Sequence, residues 1–428
     1  MIKKTRTVLF AIFLFLFLVV APTAIFYSQG YRFDFDPPAG GKRITQTGGL
    51  FLKVLPKQVD IYIDGKLKKK TDFFFGSALV ENLLPKIYKV EVKKEGYFSW
   101  KKDLEIKEKE VTEAKDVILF PENLNLTILA KGVENFWLSG GDERKIVLKE
   151  KSSPAGGWTL KLYDLEKDIK SHLIGEKDIS KKGADLLNLS FSENSKEISL
   201  ETGVAEEIRY FSLSLIETPP TLKETKVPLP QAENFIVSQT DNYYLDNSGH
   251  LFKGPSAAKG GDERMFIDHG EQLTEIAFPV KAETEYKLNI FPGYIFLREN
   301  QSLYLFSFEL KTFEKFFEEV RDVKISPDQK KIVYFSDKEV WVLFLKEGKK
   351  VLIARLSEKI ENSFWLNSHY LIFNVGDKIK ISETDDRDRI NIWDVGEIKK
   401  PETFWSSVEK RLYVLSEGNL YHSRTLLP

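Results

Sequence analysis

Val323-Lys324-Ile325-Ser326-Pro327-Asp328-Gln329-Lys330-Lys331-Ile332-Val333-Tyr334 reads as strand, turn, strand. Val323 and Ile325 sit two apart, the period of a half-buried strand, and Ser326-Pro327-Asp328 supplies the turn chemistry that ends it. Lys331-Ile332-Val333-Tyr334 reads as a second strand, a basic residue followed by apolar ones. The second strand recurs along the chain. Its copies are Lys145-Ile146-Val147-Leu148, Lys196-Glu197-Ile198-Ser199-Leu200, Asn242-Tyr243-Tyr244-Leu245, Tyr294-Ile295-Phe296-Leu297, Tyr370-Leu371-Ile372-Phe373 and Arg411-Leu412-Tyr413-Val414. The later copies lie about 37–41 residues apart and the earlier ones about 46–52, a regular period that marks a repeat architecture.

A first strand with a large apolar residue precedes most copies, as in Phe136-Trp137-Leu138-Ser139, Leu189-Ser190-Phe191-Ser192, Phe364-Trp365-Leu366-Asn367 and Phe404-Trp405-Ser406. Ile325, Trp365 and Trp405 follow one another at forty-residue intervals. A third strand follows several copies, for example Leu303-Tyr304-Leu305-Phe306-Ser307 and Val340-Trp341-Val342-Leu343. Repeats of roughly 40–45 residues with several strands each predict the blades of a β-propeller over 121–428, with seven copies giving seven blades. The last copy has three strands, so the alternating segment at about 124–130 is expected to supply its fourth and close the ring. The repeated aromatics read as core between blades. Ser326-Pro327-Asp328-Gln329-Lys330-Lys331-Ile332 resembles the blade turn of WD40-like propellers of the TolB type, with Gln329 in place of the usual glycine. Ser192-Glu193-Asn194-Ser195-Lys196 is a weaker copy.

Lys3, Lys4 and Arg6 precede an uncharged run from Val8 to Phe26. As a helix that run is about 28 Å long, close to the ~30 Å hydrocarbon core of a bilayer. Residues 1–27 therefore read as a basic cytoplasmic tip and a transmembrane signal anchor in the cytoplasmic membrane, with the amino terminus inside and the bulk exported. Tyr27 and Tyr31 fall where interfacial aromatics belong. A cleaved signal peptide is the competing reading, and Pro22 after Ala21 makes a poor cleavage site. Residues 28–47 read as a linker, because Pro37-Pro38 and Gly40-Gly41 interrupt regular structure.

Residues 48–120 read as a compact β-module. Leu50, Leu52 and Val54, then Val59, Ile61 and Ile63, then Tyr88, Val90 and Val92 each alternate with exposed-type residues. Asp64-Gly65 signals a tight hairpin turn and Gly96 another turn. With Pro56, Tyr62, Lys66 and Tyr97, these residues resemble the PEGA domain family, with departures at Asp72 after Thr71 and at Pro85-Lys86. That resemblance implies a small β-sandwich of prokaryotic surface proteins and no catalysis.

The chain of 428 residues carries 63 Lys and Arg against 64 Asp and Glu, so charge gives no general case for nucleic-acid binding. With no cysteine, disulfide scaffolds, thiolate metal sites and cysteine nucleophiles are excluded. No hydrolase elbow, HExxH, Walker A or dinucleotide fingerprint is present. His172, His250, His269, His369 and His422 are too scattered for a helical or hairpin metal pair. Asp246-Asn247-Ser248-Gly249-His250 reads as a hairpin turn, and Asp385, Asp386 and Asp388, interleaved with Arg387 and Arg389, as a solvated loop.

No catalytic, cofactor or metal residue is assigned. Lys66, Lys68, Lys69 and Lys70 are the binding candidates, facing an anionic surface, with a lysine-guarded edge strand as the plainer reading. The expectation is a non-enzymatic, membrane-anchored binding or scaffolding protein that recognises a protein, peptide or glycan through its propeller. The alternatives are a surface glycan hydrolase with its site at the propeller channel and an envelope-assembly partner of TolB-like type.

Overall fold

The computed structural model describes residues 3–34, 43–139, 143–152, 156–192, 194–205, 207–217, 219–225, 235–237, 243–254, 270–281, 284 and 286–427. Pro37, Pro38, Gly40, Gly41, Glu193, Asn242 and His269 lie outside the described residues.

Helix α1 (Lys3–Ser28) contains the span Arg6–Ser28, which is long and apolar enough to cross a membrane and is nowhere buried by protein. Its Leu, Phe, Ile and Val side chains face outward all round. A helix makes all its backbone bonds internally, which a span of this length and composition needs if it is to cross a bilayer. At its exit the Arg32 guanidinium lies 3.5 Å from the Tyr27 ring centroid and donates to the Tyr27 carbonyl at 2.8 Å. A cation at a helix carboxyl end meets the dipole, and the Tyr27 carbonyl accepts the Gly30 amide as well, at 3.1 Å. Phe26 and Tyr31 pack edge to face at 5.4 Å beside it. Within the stretch read as a linker, β1 (Tyr31–Phe33) pairs antiparallel with β2 (Ile44–Gln46). The Thr47 amide then donates to the Gly30 carbonyl at 2.9 Å, bringing the chain back beside the helix end.

The chain divides into two compact units, residues 1–123 with 385–395 and 428, and residues 124–384 with 396–427. In the first, β3 (Gly48–Leu55), β4 (Asp60–Ile63), β5 (Lys66–Lys70), β6 (Ser77–Leu83), β7 (Ile87–Lys93), β8 (Trp100–Glu105) and β9 (Val111–Ile118) form two sheets, β6-β3-β9 and β5-β4-β7-β8. Leu50, Leu52, Val54, Val59, Ile61, Ile63, Tyr88, Val90 and Val92 are all buried, the alternation read from the sequence. Two sheets with one apolar face each, in one small unit, bury those faces together. Asp64 and Gly65 both hold positive φ, +50° and +75°, the geometry of the tight turn that joins β4 to β5.

The second unit is a succession of antiparallel sheets. Among the described residues its sheets span 133–175, 185–225, 235–272, 286–317, 322–355, 360–383 and 402–422, each of four strands except that at 360–383, which has three within this unit. The last has three strands in sequence and takes β10 (Thr127–Lys131) as its fourth, paired antiparallel with Asn419–His422. Each repeated marker is the second strand of its sheet, as in Lys145–Lys151, Lys331–Phe335 and Arg411–Ser416. That strand lies inside its sheet with its side chains buried on both faces, which explains the apolar runs: Ile332, Val333, Tyr334 and Phe335 are all at most 3 % exposed. Apolar clusters bridge successive sheets. One joins Leu160 and Leu173 to Leu200 and Phe211, another Phe296 and Leu303 to Ile332 and Leu343. The first and last sheets share a core of Ala130, Val133, Leu138, Ile146, Tyr413 and Leu420. Trp365 and Trp405 are buried, as aromatics repeated at one strand position are expected to be.

Candidate functional site

Lys66, Lys68, Lys69 and Lys70 all lie on β5, whose five residues are exposed throughout. β5 is the outermost strand of its sheet, so the lysines guard an open edge. Ile61 pairs with Lys69 and Tyr62 with Leu67, leaving Lys68 as the extra residue of a β-bulge. Lys69 donates to the Leu79 carbonyl at 2.8 Å and Lys70 lies 3.7 Å from the Asp60 carboxylate. Lys66 and Lys68 have no carboxylate partner among the described residues. Three neighbours escaped sequence reading. Phe73, Phe74 and Phe75, in the loop between β5 and β6, are 65, 73 and 72 % exposed. Their signal was a bare apolar triplet where turn residues are normal.

The same unit holds a cleft of about 360 Å³ lined by Gly65, Lys89, Glu91, Lys101, Asp103 and Arg389, among others. Its charges are already matched: Glu91 lies 2.8 Å from Lys93 and 3.0 Å from Lys101. Burial works to raise the Glu91 carboxyl, yet the two ammonium groups hold it below its ordinary value. Beneath the cleft Lys102 is 1 % exposed, and its ammonium donates to the carbonyls of Asp385 at 2.6 Å and Arg389 at 2.7 Å. The segment read as a solvated acidic loop is therefore an ordered wrap around a lysine of the first unit. Asp385 is half-buried against the Arg387 guanidinium, at 2.6 Å, and Arg387 also donates to the Glu113 carbonyl at 2.7 Å. Asp388 accepts the Asp103 amide at 2.9 Å. A buried ammonium must be met by oxygens, and this loop is where they come from.

In the second unit the turn at Ser326 is built from its own side chains. Ser326 donates to the Asp328 carboxylate at 2.6 Å and accepts the Lys331 amide at 3.0 Å. Gln329 holds φ at +56°, the left-handed conformation for which glycine is the usual occupant. The turn also grips the next sheet: Lys331 donates to the Ser368 carbonyl at 2.7 Å, and the Asp328 amide to the Ser368 hydroxyl at 3.1 Å. In the first sheet's turn, Glu143 likewise accepts the Ser406 hydroxyl at 2.9 Å and the Val408 amide at 3.0 Å of the last sheet. These polar side chains join sheet to sheet and are structural.

Two other carboxylates are buried and neutralised. Glu150 is bonded by Lys161 at 2.7 Å and by Lys170. Glu299 meets Lys281 at 2.9 Å and accepts the Tyr286 and Tyr304 hydroxyls, each at 3.1 Å. Burial pushes the Glu299 carboxyl up, and the lysine and two phenols bring it below its ordinary value. Glycoside hydrolysis needs a raised acid facing a second carboxylate, the opposite arrangement. A cleft of about 560 Å³ between strands of the first and last sheets is lined by Glu134, Lys151, Lys400, Glu402 and Glu417, among others. Its charges are of both signs, with Glu134 near Lys149 at 3.4 Å and Glu417 on Lys399 at 2.6 Å. Asp246 to His250 form the expected hairpin turn, with the Asp246 carboxylate accepting the His250 amide at 2.7 Å. Among the described residues no group of three or more His, Asp or Glu could hold a metal ion.

No family model matches the chain, and no curated protein matches its sequence. Similar solved structures include a β-propeller domain from Myceliophteria thermophila, with 9 % identity, TM-score 0.40, and coverage of 70 % of this chain and 98 % of that one. A hydrazine synthase from Kuenenia stuttgartiensis gives 12 % identity, TM-score 0.41, and coverage of 70 % and 97 %. The protein U3-55K gives 9 % identity, TM-score 0.38, and coverage of 70 % and 98 %.

Proposed function

We propose that this chain is a membrane-anchored, extracytoplasmic binding or scaffolding protein without catalytic activity. In this reading α1 stays in the cytoplasmic membrane with its basic end inside. Residues 28–47 follow as a short connection, 48–120 form a PEGA-like module, and 121–428 form a seven-bladed propeller of TolB-like type that recognises a protein, peptide or glycan. The observation that carries the reading is the run of four-stranded sheets behind a single apolar helix, with β10 completing the sheet at 402–422. A rigid ring of sheets presents many loops on two faces and suits recognition more than any one chemistry. The pairing of the buried carboxylates with lysines leaves the glycan hydrolase reading without support from Glu150 or Glu299.

The test is isolation of the tagged full chain from gently solubilised membranes, beside an Ala130→Asp variant whose ring closure is broken. A defined envelope protein or glycan retained by the first and lost from the second supports the reading. Identical material on both, or none on either, contradicts it.

A further inference from the structure

We infer that Phe73, Phe74 and Phe75 form a second membrane contact, a preset apolar tip that enters the headgroup layer of an anionic bilayer beside the lysine strand. The loop is held by its own bonds. The Asp72 carboxylate accepts the amides of Phe75 at 2.5 Å and Ser77 at 2.8 Å and the Ser77 hydroxyl at 2.6 Å. The Asp72 amide donates to the Ser77 carbonyl at 2.9 Å, and the Lys57 ammonium to the Phe74 carbonyl at 2.7 Å. Gly76 closes the loop at φ +67°, where a Cβ would stand 2.5 Å from the Val54 carbonyl oxygen. Phe73 and Phe74 pack edge to face at 5.5 Å. Three adjacent phenyl rings are thus fixed facing outward, which soluble surfaces avoid unless the patch has a partner.

Charge and chain path point to lipid as that partner. The ten residues Lys66 to Phe75 carry four lysines and one acid, and that acid, Asp72, is turned inward onto amides. Lysines beside exposed phenyls are the two signals that together hold a surface on anionic headgroups. The module also begins at the helix exit, where the Thr47 amide bonds Gly30 and Arg32 donates to the Asn82 side-chain oxygen at 2.7 Å. β6 runs from Asn82 back to Ser77 at the tip, roughly 17 Å at strand rise, so both of its ends reach one bilayer face when β6 lies along it.

This inference rests on α1 being a membrane anchor, and the experiment separates the two. The chain has no cysteine, so Phe74→Cys gives one labelling site. The full chain, labelled there with an environment-sensitive fluorophore, is reconstituted into vesicles of phosphatidylglycerol and phosphatidylcholine with brominated acyl chains and then floated. Glu347→Cys, on an exposed turn, is the reference. The expected result is flotation, a blue-shifted label at 74, and at least an about twofold loss of its emission to bromine, with the label at 347 unaffected. The loss should shrink in phosphatidylcholine alone and when Lys66, Lys68, Lys69 and Lys70 are changed together to Gln. A floated chain whose label at 74 stays water-like overturns the inference and spares the anchor. A blue shift without bromine quenching also overturns it, in favour of a protein-covered tip. A chain that does not float removes the anchor and this inference with it.

Discussion

Gln329 occupies a left-handed conformation, φ +56°, at the turn position where the sequence departs from the familiar glycine. A non-glycine residue there costs about 1–2 kcal/mol of local strain, and glycine returns part of that as unfolded-chain entropy. Gln329→Gly is therefore expected to stabilise the sheet at 322–355 by about 0.5–1 kcal/mol, read as slower hydrogen exchange of its amides. Lys102 tests the opposite case. Lys102→Met would leave the Asp385 and Arg389 carbonyls without their donor, a loss of about 2–4 kcal/mol. It should appear as deprotection of residues 385–395 by hydrogen exchange; unchanged protection would mean that the wrap is held by Arg387 and Asp388 instead. The departure at Gln329 was legible in the sequence because the turn resembles the blade turn of WD40-like propellers, which implies glycine there. Lys102 was not, since nothing local distinguishes it from Lys101, and its partners lie 283 and 287 residues away.

Elements were read well where alternation is clean. β3, β4 and β7 show period-two burial because one face meets the core and the other solvent. The marker strands were recognisable for the converse reason, being buried on both faces and therefore largely apolar. The β1–β2 ribbon was missed because its signal is two triplets, each too short to show a period. The lysines of β5 lie on the outermost strand of their sheet, whereas the phenyl tip beside them was overlooked, since an apolar triplet gives no period. Gly76→Ala is expected to disrupt that tip, both through positive φ and through contact with the Val54 carbonyl. The measurable outcome is proteolytic cleavage at Phe73 to Phe75 that the parent chain resists, with the sheet at 322–355 unaltered in hydrogen exchange.

At the scale of the whole molecule, the repeat spacing carried most of the fold, and the pairing of β10 with Asn419–His422 ties the ends of the second unit. Ala130 lies in the core shared by the first and last sheets, with Tyr413 and Leu420. Ala130→Asp would bury an unpaired carboxylate there and is expected to cost about 3–5 kcal/mol, seen as a lower thermal transition and exchange of the 402–422 amides. The binding site itself was not legible: strand positions in a repeat are set by packing, and the loops that would meet a partner obey no period.

The most direct test of the account uses single cysteines on either side of α1, Thr5→Cys and Glu347→Cys, in cells that express the full chain. A membrane-impermeant maleimide should label position 347 in intact spheroplasts and reach position 5 only after permeabilisation. Labelling of position 5 from outside with 347 protected, or recovery of the whole chain in the soluble cytosolic fraction, would contradict an anchored protein with its sheets beyond the membrane.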